Sequence, residues 1–306
     1  MIQGLVLGLL ALASGWQEPV VAGPIAFHHW PEQEALARRL AARVIEAPPL
    51  PALPRDVFDG ATVHVFLAPD QARWDSLTGG AVPEWGAGVA YPARGVIVLP
   101  MYDWGRKPLH TVHRTLRHEL AHVGLERFVG PARIPRWFNE GYAQWAAGQW
   151  DWESPWRLRL ALSSRRSPPL DSLTLQWPAA AADARVAYLL SASAVAYLVE
   201  SSGEHGLRVF LDRWHAEQDF EAAFRAVYGR TTSQFETDWR RHVKRSYGWG
   251  VLLGHSALFW LLAAAILLSL FGIRRRHDRE RLERLRATEP PDDPAYWELS
   301  YRQENE

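Results

Sequence analysis

The chain has 306 residues, with 34 Lys+Arg balanced by 34 Asp+Glu, 48% hydrophobic residues, 16 Trp and no cysteine. Charge neutrality speaks against a nucleic-acid binder, which calls for a basic excess or stripe. The lack of Cys excludes a disulfide scaffold, thiolate zinc clusters and a Cys nucleophile, and leaves the redox compartment open.

Residues 1–15 read as a signal peptide. Residues 2–13 are apolar and end in Ala11-Leu12-Ala13 before Ser14 and Gly15, too short a run for the ~20 residues a bilayer core takes. A buried N-terminal strand or helix is the alternative, because the first basic side chain is Arg38. Residues 31–46 carry Leu36, Leu40 and Val44 at helical spacing, opened by Pro31 and closed by the Ala-Pro-Pro-Leu-Pro run at 47–51. Residues 62–68 alternate as a strand, and 89–100 read as a hairpin or bent strand with a β-prone second arm, Gly95–Leu99. Helices are predicted over 108–125 and 136–148, then a long surface connection over 149–180. Three helical patterns follow from 184 to 246, separated by Gly203 and Gly229. Strands first and helices after predict an α+β domain over 16–248.

Residues 251–273 contain no formal charge, and a helix of that length crosses a bilayer with some tilt. The predicted span is 249–273. The next thirteen residues, 274–286, hold seven Arg against three acids and should stay cytoplasmic. The end of the tail, 287–306, has six acids and one Arg around a Pro-Pro-Asp-Asp-Pro run and reads as disordered. The expected arrangement is a single-pass membrane protein with its domain outside, its 274–306 tail inside, and no partner copy.

Chemistry concentrates in His118-Glu119-Leu120-Ala121-His122. On a helix, residues four apart share one face, so both imidazoles can bind one divalent ion. Glu119, turned by ~100° from His118, reaches a water at that ion rather than the ion itself. Leu116, Leu120 and Val123 supply the face that packs. A catalytic zinc needs a third protein ligand and an open position. Glu140 is the candidate, in the apolar run Trp137-Phe138-Asn139-Glu140-Gly141-Tyr142-Ala143, after a loop with Gly130, Pro131 and Pro135 that lets a second helix fold back. Gly141 and Ala143 are expected to thin that helix where it meets the histidine helix.

These two strings together resemble the gluzincin zinc metallopeptidases, most closely the bacterial peptidase MA-like domains. Gly88-Val89-Ala90-Tyr91-Pro92 and Gly95-Val96-Ile97-Val98-Leu99 resemble that family's edge strand. Leu170-Asp171-Ser172-Leu173, Tyr188, Ser191, Tyr228-Gly229 and Asp238-Trp239 match its later helices more weakly. The resemblance implies a zincin-like fold with a small N-terminal sheet, an active-site helix and an α-rich C-terminal half. It implies Zn²⁺ held by His118, His122 and Glu140, with Glu119 as base and proton shuttle in the hydrolysis of a peptide or protein substrate. Gly95, Val96, Ile97 and Val98 would pair with the extended substrate. Gln144 and Asn139 are expected beside the ligands, with the Gln144 amide oxygen accepting from a ligand histidine in place of the carboxylate of related enzymes. Tyr188 is the candidate oxyanion donor, or else merely packs in a helical core. Five Trp between 137 and 156 line a groove or membrane lip, or more simply pack. Another class of function stays open: a non-catalytic envelope binding or assembly module on the same fold.

Overall fold

Why the first half folds as a sheet follows from its short β-branched runs. The computed structural model describes residues 15–80, 86–102, 108–149, 158, 161–162, 167–246 and 257–288. Strands β1 (Val20–Ala22), β2 (Ile25–His28), β3 (Val63–Ala68), β4 (Val89–Tyr91) and β5 (Val96–Pro100) form one sheet in the order β1-β2-β3-β5-β4. The centre, β2-β3-β5, is parallel; β1 and β4 run antiparallel at the two edges. Parallel neighbours need a crossover. Helix α1 (Glu34–Glu46) provides it between β2 and β3, and α2 (Gln71–Thr78) lies between β3 and the β4–β5 hairpin. That hairpin turns through Pro92–Arg94 and Gly95, whose φ of 61° is one a side chain rarely adopts.

This pairing corrects one expectation. Val96, Ile97 and Val98 are not on an edge, because β3 flanks them on one side and β4 on the other. With Gly95 they cannot offer main-chain groups to a substrate strand. The edge on this side of the sheet is β4.

The period of two along each strand sorts residues between two faces. Phe27, Val63, Val65, Leu67, Ile97 and Leu99 face α1 and helix α3 (Leu109–Val129), meeting Leu40, Val112, Leu116, Leu120 and Val123. Phe66, Val96 and Val98 face the other way, onto Trp74 of α2.

The second half is a helical layer: α4 (Arg136–Ala146), α5 (Leu170–Leu175), α6 (Ala181–Glu217), α7 (Phe220–Tyr228) and α8 (Thr232–Ser246). Gly203 breaks α6 with φ 72°, ψ 169°, as its position between two helical patterns predicted. A further break at Gln218 (φ 56°) and the N-cap Asp219 divides the second pattern, a capping signal easily overlooked inside an apolar run. The core here is aromatic: Trp137, Phe138, Tyr142, Phe210, Trp214 and Phe224 are fully enclosed. Trp137 therefore packs, as does partly buried Trp145; Trp150, Trp152 and Trp156 lie outside the described residues. Gly141 does thin α4, but toward α6. A methyl there would lie 2.4 Å from the Ser191 carbonyl oxygen.

The chain divides into two units, Met1–Tyr247 and Gly248–Glu306. In the second, α9 (Ala257–Thr288) runs unbroken from apolar residues such as Trp260, Leu268 and Phe271, all well exposed, into the Arg-rich stretch. By length and hydropathy among the described residues, α6 is long and apolar enough to cross a membrane, yet more than half of its apolar stretch is buried in the protein. Residues 1–14 of the expected signal segment (1–15), the start of the expected span (249–256) and the acidic end of the tail (289–306) lie outside the described residues.

Candidate metal centre

The spacing of His118 and His122 on α3 sets both rings on one face, with centroids 4.8 Å apart and the planes nearly perpendicular. The packing face (Leu116, Leu120, Val123) seats α3 against the sheet, so the histidines point toward α4. There the Glu140 carboxylate meets them. Its Oε2 lies 3.7 Å from Nε2 of His118 and 3.5 Å from Nε2 of His122, and the two Nε2 atoms are 3.1 Å apart. A tetrahedral ion with bonds of ~2.0–2.2 Å requires donor atoms ~3.3–3.5 Å apart. The three separations bracket that value, and two imidazoles with one carboxylate are a donor set suited to a divalent transition-metal ion. The residues fit a divalent ion, and these three form a metal-competent group among the described residues.

Asn139, next to Glu140 on α4, holds one ligand in register. Its Oδ1 accepts from Nδ1 of His122 at 2.8 Å, which leaves Nε2 facing the other donors. Among the described residues Nδ1 of His118, which is buried, has no hydrogen-bond partner. Gln144 therefore accepts from neither ligand histidine. One turn beyond Glu140 it sits half-buried, and among the described residues no hydrogen bond joins its amide to either imidazole.

Glu119 is 6% exposed and lies under the β4 segment. A methyl at Gly88 would lie 3.0 Å from its Oε1 and 2.9 Å from Leu99 Cδ2, so a larger residue there would push on the Glu119 carboxylate. Burial raises the Glu119 pKa, as does Glu140, against the lowering by His118, His122 and the backbone N–H of Ala90. Burial resists ionisation of Glu140 too, but His122 and His118 outweigh it and hold that carboxyl well below the usual range. For His122, burial works against the charge, yet Glu140, Glu119 and Asn139 carry its pKa up to about 9. The two buried carboxylates thus favour positive charge at this cluster.

Tyr188, on α6, stands beside this group. Its phenol is pushed above its ordinary pKa first by burial and then by Glu140 and Glu119, opposed by Arg136. The ring meets Trp177 edge-on at 5.1 Å. Gly88 and Ala90, rather than Gly95–Val98, lie against Glu119. Arg136 and Trp177 were not anticipated. The signal for Arg136 was its position one turn before Glu140; nothing in the sequence pointed to Trp177.

Two carboxylates and two imidazoles, one carboxylate free of the ligand set and basic, make an arrangement suited to hydrolysis at an activated carbonyl. No relative was found among curated proteins. Residues 71–245, more than half the chain, match the model of the peptidase MA superfamily and span α2, the histidine helix and all the helices that surround the site. The chain belongs to the peptidase MA superfamily.

Proposed function

We propose that the protein is a zinc-dependent peptidase in which Glu119 is the general base. It is tethered to a bacterial cytoplasmic membrane by the 249–273 segment, with its first unit on the outer side. The observation that carries this reading is the convergence of His118, His122 and Glu140 with a buried, proton-hungry Glu119 beside them.

His118, His122 and Glu140 would hold the ion, which when bound supplies Lewis acidity, polarising a carbonyl and acidifying water. Glu119 takes the proton of the attacking water on its carboxylate, holds it there under β4, and hands it to the leaving amine. The raised pKa suits both halves of that transfer. Ala90 donates to Glu119 from the edge strand, and the β4 edge gives an extended peptide a strand to pair with beside the base. Tyr188 donates its hydroxyl to the substrate carbonyl oxygen as charge grows there. Support for the tether is the exposed apolar surface of α9 up to Ile273, followed directly by Arg274, Arg275 and Arg276.

The test is the purified full-length chain, wild type against Glu119→Gln. The proposal expects about one zinc per chain in both, with peptide hydrolysis in the wild type alone. Equal hydrolysis by both proteins, or hydrolysis that survives complete removal of metal, would overturn it.

A further inference from the structure

Beside Glu140 lies a group of hydrogen-bond donors that the hydrolytic chemistry does not use. Arg136, one turn earlier on α4, places its guanidinium carbon 4.9 Å from the centre of the Trp177 ring. Its Nε is 3.8 Å from Glu140 Oε1, beyond hydrogen-bond reach, and the side chain is half exposed. Among the described residues no acceptor takes a hydrogen bond from its fork. The indole N–H of Trp177 is buried and also lacks an acceptor. Tyr188 closes the row, edge-on to the same indole.

Charge counting gives the complement. Among the described residues, Glu119 and Glu140 would offset a bound divalent ion, which leaves the Arg136 guanidinium as a positive group beside them. With its guanidinium carbon 4.9 Å from the Trp177 ring centre, Arg136 is held by a cation–π contact that limits its freedom, and its fork matches a carboxylate in two-point geometry. Lysine would offer a point charge and no stacking.

We propose that Arg136, braced on Trp177, is a specificity residue that selects peptides carrying a carboxylate next to the bond to be cut. This deepens the peptidase reading and rests on it. The carboxylate comes either from an acidic side chain flanking that bond or from the free C-terminus of a short peptide. Because Trp177 touches both Arg136 and Tyr188, the carboxylate sits next to the carbonyl that Tyr188 serves. A solvated Arg136 that only screened Glu140 would contribute little, as exposed pairs of that kind do.

The experiment uses the full chain in detergent and synthetic peptides matched in pairs: Asp against Asn, Glu against Gln, and C-terminal acid against amide. kcat and KM are measured for wild type, Arg136→Gln and Arg136→Lys. Dissociation constants for the same peptides are measured calorimetrically on Glu119→Gln with and without Arg136→Gln. Wild type should favour the carboxylate member of one pair by about tenfold, through KM, the size expected for a charge-assisted hydrogen bond. Arg136→Gln should bring that ratio close to one and Arg136→Lys should restore part of it, with the same pattern in the dissociation constants. The responding pair identifies the source of the carboxylate. If Arg136→Gln leaves every ratio unchanged while cleavage continues, the specificity proposal is overturned and the peptidase reading stands. If binding ratios follow Arg136 but nothing is cleaved, the recognition role is supported and the peptidase reading fails.

Discussion

Two pairs of histidines in this protein bring ring nitrogens to about the same distance and end in opposite states. In the helical layer, Nε2 of His118 and Nε2 of His122 are 3.1 Å apart. In the sheet, Nε2 of His28 on β2 and Nδ1 of His64 on β3 are 2.9 Å apart. The first pair faces Glu140 and Glu119, which carry His122 up to about 9 against the effect of burial. The second is walled by Phe66, stacked at 4.5 Å, and by Trp16, and no carboxylate is among the groups acting on it. Burial, and after it His64 and His29, push His28 down to about 4. Proximity of two imidazoles is therefore not what makes a cation site; the carboxylates are. The sheet pair is held neutral and serves packing.

Breaking the comparison at its strongest point means taking the third donor away. Glu140→Gln should abolish hydrolysis and weaken zinc binding well beyond the 10–100-fold typical of groups behind a ligand. His28→Phe should leave zinc binding unchanged; competition titration with a chromogenic chelator measures both. Next in size, Glu119→Gln should keep the metal and lose ~10²–10⁴-fold in kcat, the range for a general base, measured on any cleaved peptide.

The sheet pair makes its own prediction about pH. His28 has a folded pKa near 4 against 6.5 unfolded, so the unfolded chain binds more protons between those values. Stability is intact above about pH 6.5 and falls as the pH drops toward 4, by roughly 3 kcal/mol in all. His28→Phe should flatten that fall in denaturant titrations at pH 7.5 and 4.5. It removes a buried Nδ1 that lacks a partner but also the hydrogen bond to His64 Nδ1, so a cost of about 1 kcal/mol at neutral pH is expected. Smallest is Asn139→Ala, which removes the acceptor for His122 Nδ1 and should weaken zinc binding by ~10–100-fold without unfolding the chain.

Much of the helical site was legible because it rests on local periodicity. His118 and His122 share a face by spacing alone, and Glu140 stood out as a charge in an apolar run. What failed to show were facts of tertiary pairing. Three residues, Val89–Tyr91, are too few to announce a strand, so the bulkier Gly95–Leu99 arm looked like the edge that β4 in fact occupies. Gly141 announced a close approach but not its partner, which is α6 rather than α3. Likewise β2 is only four residues long and its partner β3 follows a whole helix, so the His28–His64 pair, 36 residues apart, left no local trace. The contact of Trp177 with Arg136 and Tyr188 depends on how α4 and α6 pack. A helix period cannot encode that.

A crystal of the zinc-loaded protein, with anomalous data collected at the zinc edge, tests the central claim most directly. The account predicts one strong peak bounded by Nε2 of His118, Nε2 of His122 and Oε2 of Glu140, with Glu119 beside it and uncoordinated. A peak held by other residues, or the Glu140 carboxylate turned away from both rings, would contradict it.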